Sequence, residues 1–425
     1  MFRSVEMLHG AQAQTEAILT MTQQPQILML GCFDTKGEIF AFLRECLIAQ
    51  GAEVMTVNVG VLGTTELFPV TIESEEICEA GGTNLVALRD KNDRGNAMEI
   101  MGRGAAKVLE ELWRQRKFDA VIGMGGGSGT YVTLKSMQFL PLGLPKICIS
   151  TLATKDLTEL VGVKDVLLMP SVVDVAALNS IIKPIIQQAA AALVAMSRVQ
   201  LPKESTDIRR IAISMFGNTS VCVDYCTQLL EAEGYEVMTF HANGVGGKAM
   251  ESLTMEGCFV GVLDITTTEL ADELCGGICS AGPNRLEAAG KMKIPQVVVS
   301  GCMDMVNFGT LDSVPEKYNS RQLYSWVPTV TLMRTNAEEN EVLGEILAKK
   351  LNQAKGSAAV LFPDKGLSQI DAEGNAFYNP ESNETLSKSI QKNLKSEIPF
   401  VNLPFHINDW GFATEAVERL MGMMK

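Results

Sequence analysis

ILMLGCFDTKGEIFAFLRECLIAQGAEVMTVNVGVLG, residues 27–63, decides the fold, because residues 211–247, IAISMFGNTSVCVDYCTQLLEAEGYEVMTFHANGVGG, repeat its pattern. In both segments an apolar strand runs into a small polar loop and a helix of about fifteen residues follows. A second strand then opens with Glu-Val-Met and closes on a Gly-ended turn. The two copies are offset by 184 residues at the first strand and 183 at Glu-Val-Met, so nearly every position between has a counterpart. This recurrence predicts an α/β protein of two Rossmann-like domains with mostly parallel sheets, related by internal duplication. Open parallel sheets take ligands beyond the carboxyl ends of their strands. Function is therefore expected in the loops, where the halves diverge.

Working outward, FDAVIGMGGGSGT, PKICIST and DVLLMP supply three more strands in the first half, and Asp174 is expected to cap a helix running to Arg198. The run IIQQAAAALVAM in that helix is apolar on most faces, which predicts a shared or self-associating interface. VQLPKESTDI, residues 199–208, reads as a linker. The expected organisation is an N-terminal arm at 1–22, a nucleotide-binding domain at 23–200 and a C-terminal domain at 208–425. In the last, strands are expected at 209–215, 235–240, 258–263, 296–300, 328–333 and 357–362, with helices near 383–395 and 410–424.

A chain of 425 residues with 46% hydrophobic and 20% charged content can bury two cores. A net charge of −14, with no basic stripe interleaved with aromatics, argues against nucleic acid. The apolar runs are interrupted at Lys183, Pro184 and Gln187, which argues against a membrane span. The CxxxC pairs Cys222/Cys226 and Cys275/Cys279 have helical rather than zinc-knuckle spacing. Reduced thiols, a cytoplasmic location and a small-molecule ligand are the resulting expectations.

GMGGGSGT at 123–130 is the clearest candidate binding loop, because it follows a buried strand and opens a helix whose amide groups face the loop. Gly125, Gly126, Gly127 and Gly129 let an anion reach backbone N–H groups, and Ser128 and Thr130 add hydroxyls. The loop has neither the lysine of a P-loop nor GxGxxG spacing, and it also suits a plain tight turn. In GCFDTKGE, Lys36 offsets phosphate charge, while Asp34 and Thr35 serve either Mg²⁺ and ribose or helix capping. RDKNDRG brings Arg89, Asp93 and Arg94, either to grip an anion or as solvated pairs.

In the second half, His241 ends a strand before a glycine-rich turn and is a candidate base beside Asp264, with Glu269 as a third candidate catalytic group. Thr266, Thr267 and Thr268 are candidate substrate donors, although Thr266 and Glu269 also fit a capping box. Arg285, Asp304 and Asn307 complete the candidate substrate set, with His406 able to fold over the same edge. No diagnostic metal spacing accompanies them, and the metal stays unknown.

GCFDTKGE, DRGNAMEIMGRGA, GMGGGSGT, HANGVGGKAME, GVLDITTTELADEL, SAGPNRLEAAG and VTLMRTNAEEN, in that order along the chain, resemble the Tm-one-like ATP-binding family, which includes a tomato protein that inhibits tobamovirus replication and many uncharacterised bacterial proteins. The segment YSWVPTVTLMRT departs from the family pattern at Trp326, where histidine is expected. The resemblance implies two Rossmann-like domains, ATP bound by the first, with or without Mg²⁺, and homodimers or higher homo-oligomers. On this chain it implies nucleotide contacts at Asp34, Thr35, Lys36, Gly125 to Thr130, Asp93 and Arg94. Three readings follow: an ATP-binding enzyme acting on a small carboxylated metabolite at a second-domain or interdomain site, a nucleotide-gated module without turnover, and an NAD-binding enzyme. The last rests on FDAVIGMGGGS, which also resembles the pyrophosphate loop of iron-containing alcohol dehydrogenases and dehydroquinate synthase.

Overall fold

A computed structural model describes residues 24–199 and 208–425, so the expected arm at 1–22 and the linker residues 200–207 lie outside the described residues. The chain divides into two compact units, Met1–Pro202 and Lys203–Lys425.

The first unit opens with β1 (Gln26–Gly31), α1 (Phe33–Ala49) and β2 (Glu53–Asn58). Short helices α2 (Ser74–Ala80) and α3 (Leu85–Asp90) lead into α4 (Arg94–Arg114). The unit continues through β3 (Ala120–Gly125), α5 (Gly127–Met137), β4 (Lys146–Ser150), α6 (Thr158–Val161), β5 (Val166–Pro170) and α7 (Ile182–Ser197). All its strand pairs are parallel, in the order β2-β1-β3-β4-β5. β3 and β4 are buried along their whole length, as near-continuous apolar central strands covered on both faces must be. One face carries Phe33, Phe40, Leu43 and Leu47 of α1, and the other carries Ile100, Met101 and Leu109 of α4.

The long apolar helix begins at Ile182, not at Asp174. Its buried residues Ile182, Ile186, Ala189, Ala190, Leu193 and Val194 join the core shared with α1 and the sheet. The unit's own core therefore uses the apolar face that the sequence reading assigns to an interface.

The second unit comprises β6 (Arg210–Met215), α8 (Ser220–Ala232), β7 (Glu236–His241), α9 (Val245–Met255), β8 (Gly261–Thr266) and α10 (Thr268–Cys275). It proceeds through α11 (Ala288–Met292), β9 (Gln296–Gly301), β10 (Met305–Phe308), β11 (Leu323–Val327), β12 (Val330–Arg334) and α12 (Ala337–Leu351). It ends with β13 (Ala358–Pro363), α13 (Pro380–Asn393), β14 (Phe400–Leu403) and α14 (Trp410–Met424). Its parallel sheet has the order β14-β13-β9-β8-β6-β7, so its first five strands in sequence reproduce the arrangement of the first unit and β14 extends it.

The strand expected at 328–333 is β12, which sits in a separate antiparallel sheet, β10-β12-β11. Only Pro328 and Thr329 separate it from β11, and so short a connection forces antiparallel pairing. β8 lies three residues later than expected, which puts Asp264 inside the strand and leaves Thr266 at its end. Among the described residues, no helix is long and apolar enough to cross a membrane.

Candidate functional site

The chain order of the first sheet reverses at β1, whose neighbours lead to opposite faces, and such a reversal opens a crevice beyond the strand ends. A cleft of ≈ 380 Å³ lies there, lined from the β1–α1 turn by Cys32, Asp34 and Thr35 and from the post-β2 loop by Val59 to Leu62. Residues Leu88 to Met101 and the α5 residues Ser128 and Val132 close its other sides. Three helices, α1, α4 and α5, thus begin at the cleft, and the positive ends of their dipoles face it. Val61, Leu88, Met98, Met101 and Val132 are its apolar lining, and Asp34, Asp93, Arg89 and Arg94 are its charged groups.

Asn58 holds this geometry, although the sequence reading did not single it out. Its Oδ1 accepts from Phe33 N at 3.2 Å and Gly60 N at 3.0 Å, tying the first turn of α1 to the loop after β2. Its amide donates to Gly63 O and Glu73. Its position as the last, polar residue of a strand whose second half is buried was the available signal. Asp34 Oδ2 accepts from Leu62 N at 2.8 Å, while its buried Oδ1 has no partner. A Cβ at Gly60 would lie 2.3 Å from the Asp34 carboxyl, so glycine is required for this approach. Arg89 donates to Val61 O and pins the same loop from the other side. Burial, reinforced by Asp34, pushes the Cys32 thiol up to about 11, so it is not a thiolate nucleophile.

The candidate residues of this half separate by position. Asp34, Thr35, Asp93, Arg94 and Ser128 line one cleft. Asp93 also caps α4 through Asn96 N at 3.0 Å. Arg94 Nη2 and Nε donate to Ser128 Oγ at 2.7 and 3.1 Å, joining the starts of α4 and α5. Lys36 turns elsewhere, its Nζ donating to Val175 O. Thr130 is buried, its hydroxyl shared between Gly125 O and Ser150 Oγ. The glycines have different jobs. A Cβ at Gly125 would lie 2.7 Å from Gly129 Cα, which makes these two a packing pair, whereas one at Gly127 would meet nothing within 4 Å.

In the second unit the candidate residues other than His241 and His406 are buried, most of them in three networks. Asp264, Thr266, Thr267, Thr268, Glu269, Arg285, Asp304 and Asn307 are each between 0% and 1% exposed. Arg285 directs all its N–H groups at protein oxygens: Nε to Glu269, Nη1 to Asp264 and Glu251, Nη2 to Asp264 and Thr266 O. Asp264 also accepts from Ser214 Oγ at 2.6 Å. Burial alone would lower the Arg285 pKa, but Asp264 and Glu269 carry it well above the usual range, so it stays charged. Glu269 further accepts from Gly244 N and Gly247 N, and Thr266 bonds Thr219, so these two do not form the capping box their spacing suggests. Glu251, another residue the sequence reading did not single out, accepts from Leu286, Glu287 and Ala288 N–H.

Asn307 donates to Asp272, whose carboxyl burial pushes up to about 7. Asp304 accepts from Ser368 Oγ at 2.7 Å, and burial followed by the nearby Asp371 raises it to about 7. His406 bonds Ser368 O, joining that third network from the post-β14 loop. His241 is exposed and stacks on Phe216 with ring centroids 5.2 Å apart, while Asp264 is committed to Arg285 and Ser214. Among the described residues, no group of three or more His, Cys, Asp or Glu is placed to hold a metal.

The chain belongs to the uncharacterised protein family UPF0261: residues 25–202 match its N-terminal domain and 209–424 its C-terminal domain. A UPF0261 protein of Clostridium tetani is 42% identical, with 94% of this chain and 99% of that protein covered. The tomato ToMV susceptible protein tm-1(GCR26) is 34% identical over 95% of this chain, which spans 56% of the tomato protein's length. A crystal structure of a putative UDP-N-acetylglucosamine 2-epimerase from Listeria monocytogenes is similar at 10% identity, covering 65% of this chain and 79% of that one. Its TM-score of 0.23 carries no argument about chemistry.

Proposed function

We propose that the N-terminal unit binds an adenine nucleotide in the cleft beyond β1 and β3, with ATP as the leading ligand. The observation that supports this most is the mixed lining of one cleft, in which several apolar side chains accompany Arg94 and Ser128 at the starts of α4 and α5. A base fits against Val61, Leu88, Met98 and Met101. The anionic tail belongs at the open backbone around Gly127 and at Arg94, since a helix start and a guanidinium both favour phosphate. Lys36 and Thr130 have other partners, so they are left out of this assignment. Asp34 and Asp93 are the carboxylates at hand for Mg²⁺, which would arrive with the phosphates and offset their charge.

A binding role without turnover is the better-supported reading, because the polar residues of the second unit are buried and bonded to one another. Homo-oligomerisation and a cytoplasmic setting accompany the proposal as expectations. Thermal melting of the purified chain with ATP, NAD or neither tests it. ATP at a hundred times its dissociation constant adds about 2.7 kcal/mol, a clear upward shift. No shift with ATP and a clear one with NAD would transfer the cleft to a dinucleotide. Phosphate release with a metabolite panel would reinstate an enzyme.

A further inference from the structure

We infer that Arg94 is an anion-exchanged latch: its guanidinium rests on Ser128 until an anionic group displaces it, and this makes the cleft select phosphorylated over unphosphorylated ligands. The inference rests on the reading of the cleft as a nucleotide site and assigns one residue the discrimination within it.

The resting contact is electrostatically poor. Arg94 is the first residue of α4 and Ser128 the second of α5, so the guanidinium sits between the positive ends of two helices. Its nearest acceptor is one neutral hydroxyl oxygen taking two N–H groups at 2.7 and 3.1 Å. A guanidinium fork matches two oxygens of a phosphate or carboxylate, and charge-assisted bonds are roughly twice as strong as neutral ones. Arg94 is also exposed, so the guanidinium exchanges that hydroxyl and hydrating water for the anion without disturbing the core. An anion arriving beside Gly127, where the backbone is open, offers the guanidinium a better partner.

The latch also has a cost for ligands lacking an anion. Arg94 and Ser128 both line the cleft, so a ligand that reaches Ser128 there meets their contact. A nucleoside would have to break it and return nothing to the guanidinium. The hydroxyl of Ser128 therefore competes with the ligand in this scheme.

Calorimetric titration of the full-length chain with ATP, adenosine and inorganic pyrophosphate tests this in the wild type, Arg94→Ala, Arg94→Lys and Ser128→Ala. Arg94→Ala is expected to weaken ATP on the order of tenfold to a hundredfold while adenosine binds as well or better. Arg94→Lys should fall between, because a point charge loses the fork. Ser128→Ala should tighten ATP, since the competing acceptor is gone. Equal losses for ATP and adenosine in Arg94→Ala would mean a packing role and overturn the latch. So would a loss of ATP affinity in Ser128→Ala, which would make the hydroxyl a ligand contact. Pyrophosphate separates the two readings. Arg94-dependent pyrophosphate binding without nucleotide binding would keep the latch and sink the nucleotide assignment, whereas nucleotide binding indifferent to Arg94 would do the reverse.

Discussion

Replacing Arg285 with Met tests whether the second unit's charged network is a structural core or a substrate site. Arg285 and Asp264 are each 1% exposed and Glu269 is 0% exposed. The substitution removes the one cation that faces Asp264, Glu269 and Glu251 together. Breaking a buried ion pair from one side costs about 3–5 kcal/mol, because the remaining charge keeps its burial penalty without compensation. Two buried carboxylates lose their partner here, so a loss at or above the upper end is expected at pH 8. Urea unfolding followed by tryptophan fluorescence reports on this unit through Trp326 and Trp410, with Trp113 reporting on the other. A deficit below about 1 kcal/mol would refute the structural reading. Retained stability with loss of a carboxylate ligand would instead restore Arg285 as a substrate contact.

Asp304 gives a pH dependence of defined sign. Its carboxyl keeps a proton to about pH 7 in the folded chain but releases it near 3.8 when unfolded, so the folded state binds more protons between those values. Its contribution to stability therefore falls as pH rises from about 4 to about 7 and is level above. Asp371, Arg334 and Ser368 face it, and Asp304→Asn keeps an oxygen for Ser368 while removing the charge. Urea midpoints should be higher for Asp304→Asn than for the wild type at pH 8 and similar at pH 4.5; the opposite order would refute the assignment. In the glycine loop, Gly125→Ala should cost about 1–3 kcal/mol by forcing Gly129 away, whereas Gly127→Ala should melt normally and bind ATP less tightly. Equal melting of the two variants would contradict the division of labour.

The parallel strands were legible because central strands such as β1 and β3 are buried on both faces and read as apolar runs. β14 was not, since Phe-Val-Asn-Leu is four residues long and only its leucine is buried. The first-half cleft was legible in its parts, because glycines and charges at strand ends mark loops. The orientation of Lys36 toward Val175 was not, since that contact spans 139 residues. In the second half the sequence placed polar residues at strand ends, but one arginine pairs with Asp264 and Glu269 inside the core. Glu251 shows why. It binds N–H groups 35 to 37 residues away, and no local pattern encodes that.

The two copies solve the same electrostatic problem in different ways. A helix that starts at the end of a parallel strand leaves N–H groups seeking an anion. In the second unit the chain supplies one: Glu269, at the second position of α10, accepts from Gly244 N and Gly247 N and is neutralised by Arg285. A Cβ at Gly247 would lie 2.2 Å from that carboxylate, so the loop is shaped around it. In the first unit the corresponding helix position is Ser128, a neutral residue, and the nearby arginine has only its hydroxyl to hold. Duplication followed by loss of the internal carboxylate would leave one unit in need of an external anion and the other closed. On that argument the proposed site takes one nucleotide per chain, so calorimetric titration of the full chain with ATP should give a stoichiometry of one, and a value of two would refute it.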